Sequence, residues 1–464
     1  MPSTDLDIQG PRGLRQELAA MVRLALPVVV VQVGLMAMGV VDTMMVGRVS
    51  ASAIAAVALG NVYFFAVAIF GQGVLMALDP IVAQAVGAGD DVAIARGVQR
   101  GLILAVGLSV ATSLLLLPAA SVLSLLRQPT EFATVAARYD VVSIAGVLPF
   151  YVFVVFRQAL QAMHRMAPIV WSIIVGNLAN ILLNWMLVFG HLGAPPMGAV
   201  GSAWGTAAGR LLLAVVLIIA AWPRLKPYVR PFRDDAFAVP ALRRMFALGW
   251  PIGVQLSLEF GVFGLVGLLM GWMGTRQMAG HQIALNIASF TFMVPLGVSG
   301  AAAVLVGNAV GRGDAAEARR AAAAGLICGA GFMAVSAAGM LAAPAFFARL
   351  YTSDVAVAAM AAALIPLAGV FQVFDGIQVV SIGILRGVAD TRWPMIVNIL
   401  GFWLIGLPVS LWLGFRTDLG PRGLWWGLVL GLALVAVMLL LRARNRLDAP
   451  MHRVRIDHEE VVAR

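Results

Sequence analysis

Residues 250–272 read Trp-Pro-Ile-Gly-Val-Gln-Leu-Ser-Leu-Glu-Phe-Gly-Val-Phe-Gly-Leu-Val-Gly-Leu-Leu-Met-Gly-Trp. The run has the length of one membrane-spanning helix, which needs about 20 apolar residues at a rise of roughly 1.5 Å each. It carries a single charge, Glu259. On a helix starting near Trp250 that carboxylate lies near mid-depth, on the order of 15 Å in. A charge there costs at least about 2.5–3.5 kcal/mol on insertion scales, so it must face a cavity or a partner. No Lys or Arg stands within two turns of it. A structural hydrogen bond to a neighbouring helix is one reading. A functional site is the other, and the missing countercharge favours it.

The rest of the chain has the same character. Of its 464 residues 61% are hydrophobic and 12% charged, against about 25% charged in soluble domains. Apolar runs recur from Leu24 to Leu441 with short gaps, so no large soluble domain fits. We expect an all-α polytopic membrane protein with twelve transmembrane helices, over residues 24–46, 53–78, 99–120, 139–160, 168–190, 199–221, 247–271, 280–305, 322–343, 358–385, 393–414 and 422–441. The lone Cys328 excludes an intramolecular disulfide framework or a cysteine zinc site. The polar N-terminus lacks the pattern of a cleaved signal peptide. Net charge is +10. No basic run contains the stacking aromatics that single strands need, so no nucleic-acid partner is expected. Of the 32 basic residues, 24 fall in one alternate set of connections and seven in the other, with Arg210 inside a span. By the positive-inside rule the first set, with both termini, is cytoplasmic.

The chain repeats itself. Ala-Val-Gly-Ala-Gly-Asp at 85–90 returns as Ala-Val-Gly-Arg-Gly-Asp at 309–314. Gly-x-x-Gly-x-x-Trp-Gly-x-x-x-Gly at 198–209 returns at 420–431. Leu-Pro at 26–27 pairs with Trp-Pro at 250–251, and Ala-Pro at 167–168 with Trp-Pro at 393–394. The near-constant offset predicts two pseudo-symmetric six-helix lobes. Residues 1–23 form an N-terminal segment, 24–221 the first lobe, 222–246 a basic linker, 247–441 the second lobe and 442–464 a tail. Transporters built this way place the substrate between the halves or in a cavity within one of them, and alternate access by rocking the halves. In the first repeated motif the glycines permit positive φ and the aspartate caps the next helix. In the second, small residues let a neighbouring helix approach closely. Pro149, Pro295, Pro366 and Pro408 lie deep enough to bend their helices.

The buried polar residues divide between the halves. In the first stand Gln32, Asp42, Asp79, Arg210 and the amides Asn177, Asn180 and Asn184, three and four apart on one helical face. Such an amide stripe either glues helices or lines a wet cavity. Asp42 either pairs with Arg48 or faces the cavity, and the second is favoured. Asp79 reads as a cap or a partner of Arg157 or Arg165, and Arg210 needs a countercharge from another span. In the second half stand Gln255, Glu259, His281, Gln282, Asn286, Gln372, Asp375 and Gln378. His281 reads as a hydrogen-bonding residue at the outer interface. Two mid-membrane carboxylates, Glu259 and Asp375, with no basic partner in the same half suggest a cation site. Na⁺ wants oxygen ligands; a proton wants a carboxylate that takes it up near neutral pH. Both chemistries fit. The five histidines are scattered, no glycine–lysine phosphate loop exists, and Lys226 is the only lysine, so no enzyme or ATP-driven pump is expected.

These residues resemble the multidrug and toxic compound extrusion (MATE) family, in its bacterial NorM-like branch. The resemblance covers about residues 20–441. It rests on Pro27, Gln32, Asp42 and Val46-Gly47; on Gln84 to Asp90; on Asn177, Asn180, Asn184 and Trp185; on Pro251, Gln255 and Glu259; on His281 to Asn286; on Val310 to Asp314; and on Gln372, Asp375 and Gln378. Each piece is weak alone; their order in both halves is specific. One departure is Val304-Leu-Val-Gly307, where the family pattern places an arginine, so this lobe has one countercharge fewer. The resemblance implies a multi-pass protein of the bacterial inner membrane that exports organic, often cationic or amphipathic compounds against a Na⁺ or H⁺ gradient. It implies no other cofactor and no obligatory protein partner. Glu259 and Asp375 would hold the coupling ion, as a metal site only if that ion is Na⁺. Asp42, Asn177 and Asn180, with Gln32, Gln255, Gln282, Asn286 and Gln378, would line the secondary coupling or substrate cavity. The alternative is a lipid-linked precursor flippase of a related two-lobed fold, which would need basic residues lining its cavity; only Arg210 qualifies.

Overall fold

The computed structural model describes residues 13–457. The start of the expected N-terminal segment and the end of the tail, with Arg464, lie outside the described residues. Twelve helices are long and apolar enough to cross a membrane: α1 Leu14–Val46, α2 Ala51–Gly87, α3 Asp91–Leu116, α4 Thr130–Ala162, α5 Ala167–Phe189, α6 Gly198–Val229, α7 Val239–Met273, α8 Thr275–Arg312, α9 Ala315–Ala342, α10 Val355–Gly387, α11 Arg392–Phe415 and α12 Pro421–Asp448. Among the described residues there is no strand. Many of the helices outrun their apolar stretches, because backbone hydrogen bonding continues past the hydrocarbon boundary. At 38 residues α8 is about 57 Å long, nearly twice the hydrocarbon thickness. The basic segment between the lobes is largely helical: α6 continues to Val229 and α7 begins at Val239.

The deep prolines act differently. A 3₁₀ turn at Ile144–Gly146 interrupts α4 just before Pro149, and a π-helical stretch at Ile399–Gly406 interrupts α11 before Pro408. Pro295 and Pro366 lie within unbroken helices. A proline removes one backbone donor and crowds the preceding turn. In α4 and α11 that demand coincides with a change of helical pitch.

The two copies of the Gly-x-Gly-Asp motif meet across the lobes. Gly89 and Gly313 adopt φ of +65° and +77°, the left-handed region that glycine enters without a Cβ clash. Asp90 then caps α3 by accepting from the Ala93 N–H at 2.9 Å, and Asp314 caps α9 by accepting from the Glu317 N–H at 2.8 Å. The first glycine of each copy closes the seam. A Cβ on Gly87 would run into the Asn308 backbone, and one on Gly311 into that of Gln84. Nearer mid-depth, a Cβ on Gly73 would lie 2.6 Å from the Gly253 Cα.

Polar contacts join the lobes at the same level, on the Arg-rich face where α1 begins and α12 ends. Gln84 Nε2 donates to the Gly387 carbonyl at 2.8 Å, and Asn308 bonds His164 at 2.6 Å. Asp79 pairs with Arg386 of the second lobe at 3.2 Å, both side chains buried, rather than with Arg157 or Arg165 of its own lobe. Arg157 donates instead to Gln32 Oε1 at 3.2 Å. Sequence distance hid the true partner, which arrives only when the lobes dock.

After α12 the chain folds back over this face. Arg453 pairs with Asp90 at 2.8 Å, Asp457 with Arg100 at 2.7 Å and with Arg96 at 3.2 Å. The Val454 N–H donates to Gln84 Oε1 at 2.7 Å, and Arg244, near the start of α7, donates to the Ile456 carbonyl at 2.7 Å. The Ala93 N–H, with Arg453 beside it, holds the Asp90 carboxyl below the usual carboxylate range.

Candidate ion and substrate sites

In the second lobe Glu259 of α7 and Asp375 of α10 are both half-buried. They lie close enough for their charges to interact. Gln378, three residues after Asp375 and so on the same helical face, donates to Glu259 Oε1 at 2.9 Å. Its own Oε1 is buried without a donor. Gln255, one turn before Glu259 and buried, lies close enough for its amide to act on that carboxylate. Asp375 makes no hydrogen bond and no ion pair with any described residue. Two like charges with amides around one of them and no arginine beside them form a site that favours an added cation.

Aromatic rings flank this pair. Phe263 follows Glu259 by one turn on α7, and Phe371 precedes Asp375 by one turn on α10. The two helices run in opposite directions, so both rings stand on the side away from the Arg-rich face. Their centroids are 6.0 Å apart, edge to face. Trp425 continues the cluster from Phe371 to His281. On the π-helical stretch of α11, Trp403 Nε1 donates to the Leu258 carbonyl at 3.2 Å, next to Glu259. These aromatic residues are ones the sequence reading missed. The available signal was a phenylalanine four residues from each acid on the same side.

The remaining second-lobe residues separate. Gln282 and Asn286 are exposed, one turn apart on α8. His281 does not make the expected hydrogen bond: it is 1% exposed, edge-on to Trp425, with neither ring nitrogen bonded to any described residue. Its neighbour α12 covers it, which no pattern local to α8 announces. Gln372 is buried and accepts from Thr291 Oγ1, tying α10 to α8. Leu305, where the family pattern has an arginine, is buried.

The first lobe builds a different centre. Asp42 is 2% exposed. Its Oδ1 accepts from Asn180 at 3.1 Å and from Asn184 at 2.7 Å; its Oδ2 accepts from Thr206 Oγ1 at 2.6 Å. The glycine motif on α6 makes this possible. A Cβ on Gly205 would approach Asn184 Oδ1 to 3.1 Å, and one on Gly209 would touch Asn180. Thr206, inside that motif, is a further ligand that sequence reasoning did not single out. Asn177 is not part of the shell: its amide donates to the carbonyls of Gly34 and Ile173 at 3.0 and 2.9 Å, gluing α5 to α1. Arg210 makes no ion pair with any described residue. Its guanidinium lies 4.1 Å from the centroid of Phe64, a cation–π contact, and it acts on Asp42 through space.

Comparisons with known proteins agree with this architecture. Residues 27–186 and 251–412 match the MatE family, one match in each half at the offset of the internal repeat. The chain is 34% identical to Multidrug resistance protein MdtK of Edwardsiella ictaluri (strain 93-146), over 92% of this chain and 95% of that protein. It is 37% identical to Probable multidrug resistance protein NorM of Rhizobium meliloti (strain 1021), over 90% and 91%. In fold it is similar to the eukaryotic MATE transporter AtDTX14, with TM-score 0.85, 22% identity and coverage of 94% and 100%. It is also similar to a multidrug resistance MATE family transporter of the MOP superfamily in an outward-facing conformation, with TM-score 0.84, 19% identity and coverage of 95% and 98%. With a twofold family match and relatives above 30% identity over nearly the whole length, the chain belongs to the MATE family, that of the NorM and MdtK multidrug resistance proteins.

Proposed function

We propose that this protein is a secondary antiporter of the bacterial inner membrane that expels organic, cationic drug-like compounds in exchange for Na⁺ or H⁺. The observation that carries this reading is the Glu259–Asp375 pair: two half-buried acids in apolar spans, the Gln378 amide bonded to one of them with Gln255 nearby, and no described cation beside them. A coupling ion entering there neutralises a repulsion that nothing else in the lobe relieves. The arginine distribution makes the Arg-rich face cytoplasmic. The interlobe bonds described above lie on that face, which supports an alternating-access cycle in which they break as the lobes rock. The flippase reading needs cations lining the cavity for lipid phosphates. Arg210 is buried over Phe64 and does not serve.

The test is efflux of a fluorescent organic cation from proteoliposomes, with an imposed Na⁺ gradient at equal pH in one set and a pH gradient without Na⁺ in the other. One gradient is expected to drive efflux, and Glu259→Gln and Asp375→Asn to abolish it. Equal efflux without either gradient, or full driven efflux by both variants, would refute the reading.

A further inference from the structure

The first lobe contains another carboxylate, Asp140, ten residues into α4 from Thr130 and so about 15 Å along the helix. Its side chain is 0% exposed, and neither oxygen meets a hydrogen-bond donor among the described residues. Its helical neighbours Ala136 and Ala137 pack in an apolar cluster with Val57 of α2 and Leu123 of the short helix Ala119–Leu125.

The packed helices offer it no countercharge. From α2, Tyr63 comes close enough to interact with it, but the Tyr63 hydroxyl donates to the Leu115 carbonyl at 2.6 Å. From α6, Arg210 lies over Phe64 and acts on Asp42, Tyr139 and Tyr151. The helix Ala119–Leu125 has no titratable residue, and α3 has none beyond Arg100. On α4 itself Tyr139 donates to Asn61 at 3.1 Å. An ionised carboxylate buried without donor or cation costs several kcal/mol, far more than a neutral acid. A metal ion would need several oxygen ligands, and no group of three or more acidic, His or Cys side chains converges among the described residues.

Two features give this acid a means of exchange. A cleft of about 670 Å³ between α4 and the helix Ala119–Leu125 is lined by Gln128, Thr134, Ala137, Arg138 and Val141, while Asp140, on another face of the same helix, is sealed from it in this conformation. The 3₁₀ turn at Ile144–Gly146 breaks α4 four residues further on, a place where its two parts can reorient.

We propose that Asp140 is a proton-binding site of the first lobe, distinct from Asp42 and from the second-lobe pair, that carries its proton in this conformation and exchanges it through the cleft when α4 bends at the 3₁₀ turn. The site does not depend on the antiport reading, because its proton is counted on purified protein without transport.

The experiment is infrared and potentiometric titration of the purified full-length protein from mildly acidic to mildly alkaline pH, wild type against Asp140→Asn. The wild type is expected to show a carboxylic-acid carbonyl band that the variant lacks, and the variant to release one proton fewer. Asp140→Leu serves if the amide variant does not fold; its melting temperature is expected to be less sensitive to alkaline pH than that of the wild type. Identical proton counts and bands in wild type and variant would overturn the proposal. So would an Asp140 band that persists at alkaline pH, the mark of a fixed structural acid.

Discussion

Asp42 and the Glu259–Asp375 pair are carboxylates sunk in the same membrane protein, one in each lobe, and they are solvated in opposite ways. Asp42 is nearly sealed and accepts from two amides and a hydroxyl on two neighbouring helices. Asp375 is half-buried with no hydrogen bond to any described residue, beside a second acid. The pseudo-symmetric halves therefore do not carry equivalent chemistry. The difference teaches where each group's work lies. A carboxylate whose lone pairs are met by fixed donors needs nothing further in this conformation. A pair that repels itself has a standing affinity for a positive ion.

The comparison breaks most visibly at the second lobe. Glu259→Gln or Asp375→Asn is expected to cut gradient-driven efflux by more than about tenfold, a loss worth roughly 1.4 kcal/mol or more. The double variant should be little worse than either single one, because the two acids act as one unit. Additive losses in vesicle efflux would separate them.

At the first lobe the expected effect is on stability. Asp42→Leu leaves Asn180, Asn184 and Thr206 donors buried, at a cost of about 1–3 kcal/mol for each left unpaired. Thermal unfolding in detergent measures it, with Asp42→Asn expected to be milder. A leucine variant as stable as wild type would show that the shell rearranges freely. A smaller change sharpens the same point. Gly205→Ala pushes a Cβ toward Asn184 and should cost on the order of 1 kcal/mol while leaving the second-lobe acids untouched.

The smallest effect lies at the seam between the lobes. The Asp90 carboxyl is held below the usual range by its cap to Ala93 and by Arg453. Its contribution is thus present above the ordinary carboxylate range and lost as pH falls through the lowered value. Acidification below the ordinary carboxylate range should lower the melting temperature of the wild type slightly more than that of Asp90→Asn.

The membrane class, the number of spans and the internal repeat were legible in the sequence because each is local. A span is a length of apolar residues, and a repeat is a pattern at fixed offset. The acids Glu259 and Asp375 were legible for a related reason: a lone charge in an apolar run is costly wherever the helix goes. Sequence alone also assigned the Gly-x-Gly-Asp motif its turn and cap, since positive φ and a capping carboxylate act within a few residues.

Only the tertiary structure decided the partners. Asp79 joined Arg386 of the other lobe, His281 disappeared beneath Trp425, Asn177 left the stripe of amides for a backbone carbonyl, and Thr206 entered the Asp42 shell. The aromatic pair beside the acids and the unpartnered Asp140 emerged in the same way. The physical reason is common to all of them. Periodicity tells which residues share a face of one helix, but a hydrogen bond or a ring contact between helices depends on depth, rotation and the lobe they belong to, and those are settled only when the helices pack.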